Sequence, residues 1–187
     1  AQSAVDAAAD IVRGAFGDCI VSEDRRIIEE VIVQLLTDRG EWMATAESCT
    51  GGGIAEAVTR IAGSSAWLER GWVTYSNKAK AVELGVLPEV IRANGAVSEA
   101  VVLAMAEGAR VRAGVTWAVA VSGVAGPDGG TADKPVGTVW LAWAGPDGVS
   151  AECQLLPGDR AEVRQHTVER ALLGLLEKMV VATSKKL

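Results

Sequence analysis

Residues 44–54 read Ala-Thr-Ala-Glu-Ser-Cys-Thr-Gly-Gly-Gly-Ile and join a short apolar run to the helical pattern of residues 54–61. A strand that turns directly into a helix leaves several backbone N–H groups of the first helical turn without partners inside the helix. These groups and the positive end of the helix dipole stabilise an anion, or a developing oxyanion, above Ser48 and Cys49. The three glycines allow a ligand to approach the backbone closely. The alternative is a purely structural turn, because serine is also a favoured N-cap residue.

Predicted strands and helices alternate on both sides of this turn. Apolar residues at helical spacing predict helices at 2–14, 24–39, 53–62, 78–84, 89–93, 99–112 and 160–181. Apolar and β-branched runs bounded by turn residues predict strands at 42–45, 71–75, 115–121, 136–143 and 150–156. The early strands each lead into a helix, whereas the late strands follow one another as hairpins. We therefore predict an α/β fold, a three-layer α/β/α sandwich whose mixed sheet has parallel early strands and antiparallel hairpins late.

The length and composition predict one soluble domain. A chain of 187 residues is of ordinary size for a single domain, here 1–187, with the helices of residues 1–40 packing on the rest. No apolar run is long enough for a transmembrane helix, and the start of the chain has no secretory signal pattern. Cys19, Cys49 and Cys153 are too few and too widely spaced for a disulfide framework or a zinc site, which indicates the reducing cytoplasm.

The acidic balance of the chain excludes two classes of partner. The formal net charge is −6, and no basic run occurs. Non-specific binding to nucleic acid or to an anionic membrane needs a basic surface. We therefore expect neither nucleic acid nor a membrane as a partner.

Three predicted loops follow strands at the edge of the sheet where α/β proteins bind their ligands. They begin at Ser48, at Tyr75 and at residue 122. A serine nucleophile needs a base to accept its proton, and the only histidine, His166, lies mid-helix among apolar residues, which favours a core position. Lys80 is another candidate base, because burial and a helix N-terminus lower the pKa of an amine, and Tyr75 would relay the proton or hold the nucleophile. The alternative is a buried tyrosine and a solvated lysine.

Other residues of these loops carry open alternatives. Cys49 is a rival nucleophile, since a thiol at a helix N-terminus is acidified, but it is equally a common buried residue. Residues 122–131 are rich in glycine and lead to a strand rather than a helix, which excludes a dinucleotide fingerprint or a P-loop. Their N–H groups could still cradle a phosphate, or the segment is only a connection between strands. Arg160 and Arg164 would pair with a phosphate or remain solvated.

Three blocks of the sequence, taken in order, resemble one family closely. They are Thr-Ala-Glu-Ser-Cys-Thr-Gly-Gly at 45–52, then Gly-Ser-Ser-Ala at 63–66 with Gly-Trp-Val-Thr-Tyr-Ser-Asn at 71–77 and Ala-Lys at 79–80, and finally Gly-Val-Ala-Gly-Pro-Asp-Gly-Gly-Thr at 123–131 with Lys-Pro-Val-Gly-Thr at 134–138. The chain resembles the CinA C-terminal domain family from about residue 17 to residue 176. Characterised members of that family are nicotinamide-mononucleotide deamidases, also called PncC. Ser122 and Leu156 depart from the family pattern, where threonine and an aromatic residue are common.

The resemblance implies an amidohydrolase that converts nicotinamide mononucleotide to nicotinic acid mononucleotide and ammonia. It implies Ser48 as the nucleophile and Tyr75 and Lys80 as the catalytic partners, with no metal and no organic cofactor. The expected substrate-binding residues are Thr50, Gly51, Gly52, Gly126, Gly129, Gly130, Thr131, Arg160 and Arg164. A cytoplasmic homo-oligomer is expected, acting in the recycling of pyridine nucleotides. The alternative is a nucleotide-binding or assembly module without turnover, belonging to a longer, competence-damage-inducible CinA-like chain.

Overall fold

The structure, a computed structural model, describes Asp10, Gly14, Ser22 and residues 24–184. For residues 183 and 184 it describes the backbone without the side chains. The predicted helix at 2–14 and the position of Cys19 lie outside the described residues. The elements are α1 (Ile28–Arg39), β1 (Met43–Glu47), α2 (Gly53–Thr59), β2 (Leu68–Val73), α3 (Asn77–Leu84), α4 (Pro88–Asn94), α5 (Glu99–Ala113), β3 (Trp117–Gly123), β4 (Thr138–Gly145), β5 (Gly148–Leu155) and α6 (Arg160–Ser184). A 3₁₀ turn at Ser64–Ala66 precedes β2.

The five strands form one mixed sheet in the order β2-β1-β3-β4-β5. β1 pairs in parallel with β2 on one side and with β3 on the other. β3, β4 and β5 then pair antiparallel, with β4 and β5 joined as a hairpin. The structure thus confirms the predicted α/β class, with parallel strands early and antiparallel strands late.

Helices cover both faces of the sheet, and the alternation of side chains along β3 explains the division. Val119 and Val121 belong to a core cluster with apolar residues of α1, α2 and α6. Ala118 and Ala120, which point the other way, belong to a second cluster with residues of α3, α4 and α5. Because successive side chains of a strand face opposite sides, one strand contributes to both cores.

All five predicted strands are offset from the observed ones by one to three residues at each end, and two of these offsets bear on the site. β1 continues past residue 45 to Glu47, because its pairing with both neighbouring strands continues to that residue. β2 begins at Leu68 and ends at Val73, so Tyr75 lies beyond the strand and 60% of its surface is exposed. In the described part of the chain, no helix is both long enough and apolar enough to cross a membrane.

Candidate active site

The sheet brings the predicted loops to one edge. β1, β2 and β3 run in the same direction, so the residues that follow them are neighbours. The backbone N–H of Ser48 donates to the carbonyl of Val121 (3.1 Å), and the N–H of Thr74 donates to the carbonyl of Glu47 (2.8 Å). These two hydrogen bonds fix Ser48 beside the end of β3 and beside the segment that leads to Tyr75.

Glu47 holds the turn of residues 48–53, called here the serine turn. Its carboxylate is fully buried and accepts four hydrogen bonds, from the Thr50 hydroxyl (2.6 Å) and from the N–H groups of Gly52 (3.0 Å), Ile54 (3.0 Å) and Ala55 (2.9 Å). Gly52 has φ +100°, a left-handed conformation that favours glycine. The orphan N–H groups of the α2 N-terminus are therefore satisfied by a carboxylate of the protein itself.

This arrangement leaves few amides of the serine turn free for a ligand. The N–H of Gly51 donates to the carbonyl of Ser48 (3.1 Å), and that of Gly53 to the carbonyl of Thr50 (3.3 Å). The amides of Gly51 and Gly52 are thus already engaged. Among the described residues, no oxygen accepts a hydrogen bond from the N–H of Cys49 or Thr50.

Ser48 and Lys80 meet below the surface. Ser48 is 9% exposed and Lys80 is 1% exposed, and the Lys80 Nζ donates to the Ser48 Oγ at 3.0 Å. Nζ also donates to the carbonyls of Thr74 (2.7 Å) and Tyr75 (3.5 Å). Burial lowers the pKa of Lys80, and no carboxylate of the described residues forms an ion pair with it. In the neutral amine the two hydrogens still serve the two carbonyls, and the lone pair replaces the third hydrogen, so that the Ser48 hydroxyl becomes the donor in the same 3.0 Å contact.

Tyr75 meets the pair through its backbone rather than through its phenol. Its carbonyl lies near Lys80, whereas its hydroxyl accepts a hydrogen bond from Arg160 Nη2 at 3.1 Å. In the described part of the chain, the phenol has no hydrogen bond to Ser48 or Lys80. The side chain of Tyr75 therefore links the segment after β2 to the start of α6.

The two arginines stand on the first turns of α6, whose start is fixed by a reciprocal cap. The Asp159 carboxylate accepts from the N–H groups of Ala161 (2.8 Å) and Glu162 (3.0 Å), and the Glu162 carboxylate accepts from the N–H of Asp159 (2.7 Å). Cations at a helix N-terminus oppose the helix dipole, so Arg160 and Arg164 are not there to stabilise the helix.

Both guanidinium groups contact neutral oxygens only. Arg160 donates to the carbonyl of Gly126 (2.7 Å) besides Tyr75, and Arg164 donates to the carbonyl of Thr50 (2.7 Å). Neither forms an ion pair with a carboxylate of the described residues. They also line a hollow of about 660 Å³ together with Ala125, Pro127, Val136, Gly158, Ala161 and Asp159, whose carboxylate is the one that caps α6. Two unpaired positive charges beside a hollow are suited to bind an anion.

The glycine loop, residues 122–131, contributes a wall of this hollow. Gly129 and Gly130 are exposed, whereas the N–H of Thr131 is engaged by the carbonyl of Lys134 (2.9 Å). Gly126 is buried and offers its carbonyl, not its N–H, to Arg160. Of the amides expected to bind a phosphate, that of Thr131 is therefore already used inside the loop.

The rival groups from the sequence are not placed for catalysis. Cys49 is 6% exposed, and burial raises the pKa of its thiol to about 11, so it is not a thiolate at neutral pH. His166 is only half-buried on α6, not in the core as predicted, and its buried Nδ1 has no hydrogen-bond partner in the described part of the chain. Residues 24–184 contain no cluster of three metal-ligating side chains.

Sequence reasoning gave no role to two groups that shape the site. Glu47 lies within residues 44–54, and the sequence signal that could have identified it is an acidic residue at the end of an apolar strand, just before a glycine turn. The backbone carbonyl of Thr74 orients Lys80, and no sequence signal reveals it because every residue has a carbonyl.

Fold and site together define an α/β protein with a serine–lysine pair at the carboxyl ends of parallel strands. The family model "CinA C-terminal domain" matches residues 25–179. This chain belongs to the CinA C-terminal domain family.

Named relatives agree with this assignment. The nicotinamide-nucleotide amidohydrolase PncC of Pseudomonas putida is 60% identical over 136 residues, which are 72% of this chain and 84% of that protein. The protein of the same name from Escherichia coli (strain K12) is 50% identical over 83% of this chain and 95% of its own length. The chain spans only 40% of a longer CinA-like protein of Anaeromyxobacter dehalogenans, at 48% identity. The crystal structure of competence/damage inducible protein CihA from Agrobacterium tumefaciens has a TM-score of 0.78 and 47% identity, over 80% of this chain and 92% of that one.

Proposed function

We propose that this protein is an amidohydrolase that cleaves the carboxamide of nicotinamide mononucleotide, giving nicotinic acid mononucleotide and ammonia. The observation that carries the proposal is the buried contact of 3.0 Å between Lys80 Nζ and Ser48 Oγ. The names of the P. putida and E. coli relatives support the choice of substrate. The reaction needs a nucleophile, a base and a place for the oxyanion, and the edge of the sheet offers all three.

The first half of the reaction acylates the serine. Ser48 Oγ attacks the carboxamide carbon while its proton moves to the neutral Lys80 amine. The carbonyl oxygen becomes an oxyanion, and the donors we assign to it are the N–H groups of Cys49 and Thr50, which are hydrogen-bonded to no oxygen of the described residues. Lys80 then passes the proton to the amide nitrogen, the C–N bond breaks and ammonia leaves. An ester now joins Ser48 to the nicotinoyl carbon.

Water completes the reaction by the same route in reverse order. Its oxygen attacks the ester carbon while Lys80 accepts one of its protons. The ester bond breaks, Ser48 regains its hydrogen from Lys80, and the acid product leaves. Burial lowers the pKa of Lys80 and so favours the neutral amine, which is the form that acts as the base in both halves.

The phosphate of the substrate must be held locally, because a protein of net charge −6 does not attract an anion over long distances. We assign this role to Arg160, with Arg164 on the lining of the same hollow and with the exposed Gly129 and Gly130 further along the glycine loop. A phosphate there would draw Arg160 away from the Tyr75 hydroxyl, which would then be free to turn toward the nucleophile. Binding of the phosphate would thereby position the carboxamide at Ser48.

The test is release of ammonia from nicotinamide mononucleotide by the purified protein. We expect Ser48→Ala to abolish it and Lys80→Met to lower kcat by about 10²–10⁴-fold, the usual contribution of a general base. The control is Lys78→Met, which removes an exposed lysine from the same helix and should leave kcat unchanged. Wild-type protein no more active than Ser48→Ala at any pH would refute the proposal. Calorimetry then identifies a binding module, which would hold the nucleotide without consuming it.

Several finer expectations stay proposals. They are the independence from a metal or organic cofactor, the cytoplasmic location, the homo-oligomeric state and the single domain over 1–187. Ammonia release after extensive dialysis against a chelator tests the first of these. Sedimentation of the purified protein measures the oligomeric state.

A further inference from the structure

Lys134 lies three residues beyond the glycine loop, and its side chain reaches to another element of the protein. Its Nζ donates to the carbonyl of Val97 at 2.7 Å and to the carbonyl of Asn94 at 3.1 Å. Asn94 is the last residue of α4, and carbonyls at a helix C-terminus attract a cation. Lys134 is half-buried, and no carboxylate of the described residues pairs with it. Its charge is thus used on two backbone oxygens 37 and 40 residues earlier in the chain.

The end of α4 and the connection that follows it, together residues 94–97, also hold the beginning of the glycine loop. The Ser122 hydroxyl, at the end of β3, donates to the carbonyl of Ala96 at 2.8 Å. At the far end, the N–H of Lys134 donates to the Thr131 Oγ1 (3.1 Å) and the N–H of Thr131 donates to the Lys134 carbonyl. The glycine loop is therefore anchored at both ends on residues 94–97, and Lys134 provides the far anchor.

What lies between the anchors is the wall of the anion hollow. Gly126, whose carbonyl holds Arg160, and Pro127, which lines the hollow, lie between Ser122 and Lys134. A loop that contains four glycines loses much conformational entropy when it is ordered, so a firm anchor determines how often it has the binding geometry.

We propose that Lys134 is a positioning residue, which fixes the glycine loop in the conformation that binds the substrate's phosphate without itself touching the substrate. This rests on the proposed function. Its consequence is selective, because the serine–lysine pair is held by β1, β2 and α3 and not by the loop. Loss of the Lys134 ammonium should weaken binding of the phosphorylated substrate and leave the chemical step intact.

The experiment compares steady-state kinetics of wild type, Lys134→Met and Lys134→Arg on nicotinamide mononucleotide and on nicotinamide riboside, which lacks the phosphate. Lys134→Met removes both hydrogen bonds of Nζ, and we expect KM for the mononucleotide to rise about tenfold with kcat within about twofold. The kcat/KM for the riboside should not change. Lys134→Arg keeps a cation and N–H donors and should recover most of the KM. Lys178→Met, an exposed lysine near the far end of α6, is the matched control.

Equal losses on both substrates would overturn the proposal, because they would indicate a general structural role, and so would an unchanged KM. If wild type hydrolyses both substrates with equal kcat/KM, the loop binds no phosphate and the Lys134 proposal fails while the amidase survives. If wild type hydrolyses neither, the proposed function fails. Calorimetry with nicotinic acid mononucleotide then tests Lys134 alone. A Kd about tenfold weaker in Lys134→Met supports the role, and an equal Kd refutes it.

Discussion

Replacing Glu47 by glutamine tests whether this buried carboxylate holds the serine turn. Its Oε2 accepts three hydrogen bonds, from the Thr50 hydroxyl and the N–H groups of Gly52 and Ile54, and its Oε1 accepts one from Ala55. A glutamine with its amide oxygen in the place of Oε2 keeps three bonds but loses their charge. Its NH₂ group then faces the Ala55 N–H, which is left without an acceptor.

The magnitude follows from this count. A hydrogen bond to an ionised acceptor contributes about 1 kcal/mol more than a neutral one, so three of them lose about 3 kcal/mol. The unpaired N–H of Ala55 adds about 1–3 kcal/mol. Glutamine avoids the desolvation of a buried charge, which offsets part of the loss. We expect a net decrease of about 2–4 kcal/mol in the free energy of unfolding.

Urea unfolding followed by circular dichroism measures this decrease. With a slope of about 2 kcal/mol per molar urea, the midpoint should fall by roughly 1–2 M. The control is Glu56→Gln, which changes an exposed carboxylate on α2, the helix whose N-terminus Glu47 holds, and should leave the midpoint unchanged. A loss below about 0.5 kcal/mol in Glu47→Gln would show that other contacts hold the turn, and our account of it would be wrong.

Three further predictions concern the catalytic and anion-binding groups. Because the folded-state pKa of Lys80 lies below its ordinary value of 10.5, the unfolded chain binds more protons between the two values, and stability rises with pH there. Lys80→Met should remove this dependence of stability on pH and should melt at a higher temperature than wild type at pH 7. The kcat/KM of wild type should fall as the pH drops through the lowered pKa of Lys80. A wild-type melting curve that is the same at every pH from 7 to 10 would contradict a neutral lysine. Cys49→Ala should keep kcat within about threefold of wild type, because the buried thiol is protonated, whereas an inactive Cys49→Ala would favour a cysteine nucleophile. Nicotinamide riboside should have a roughly thirtyfold lower kcat/KM than the mononucleotide, which corresponds to about 2 kcal/mol for charge-assisted contacts. Arg160→Ala should narrow this ratio of kcat/KM values more than Arg164→Ala, because the Arg164 guanidinium is hydrogen-bonded to the Thr50 carbonyl. A ratio that is unchanged in both variants would assign phosphate binding to backbone amides.

The order of strands and helices follows from the sequence, because apolar periodicity and turn residues are local signals. The mixed sheet could be predicted in the same way, since helices after the early strands require parallel neighbours and tight turns between late strands require antiparallel ones. Element ends were less predictable. β2 ends before Tyr75, because the end of a strand depends on where its partner strand stops pairing and not on the propensity of its own residues.

The architecture could be predicted from the sequence alone, and so could the candidate catalytic residues Ser48, Tyr75 and Lys80, because their side chains can act as a nucleophile, a proton relay and a base. The tertiary structure decided what each of them contacts. Lys80 is buried against Ser48, and the Tyr75 hydroxyl is hydrogen-bonded to Arg160. The Glu47 carboxylate binds amides that, from the sequence alone, were expected to bind a ligand. Hydrogen-bond partners are chosen among groups that are distant in the chain, and backbone carbonyls and amides are the same in every residue. Which of these groups form hydrogen bonds with one another therefore depends on how the sheet brings the three loops together.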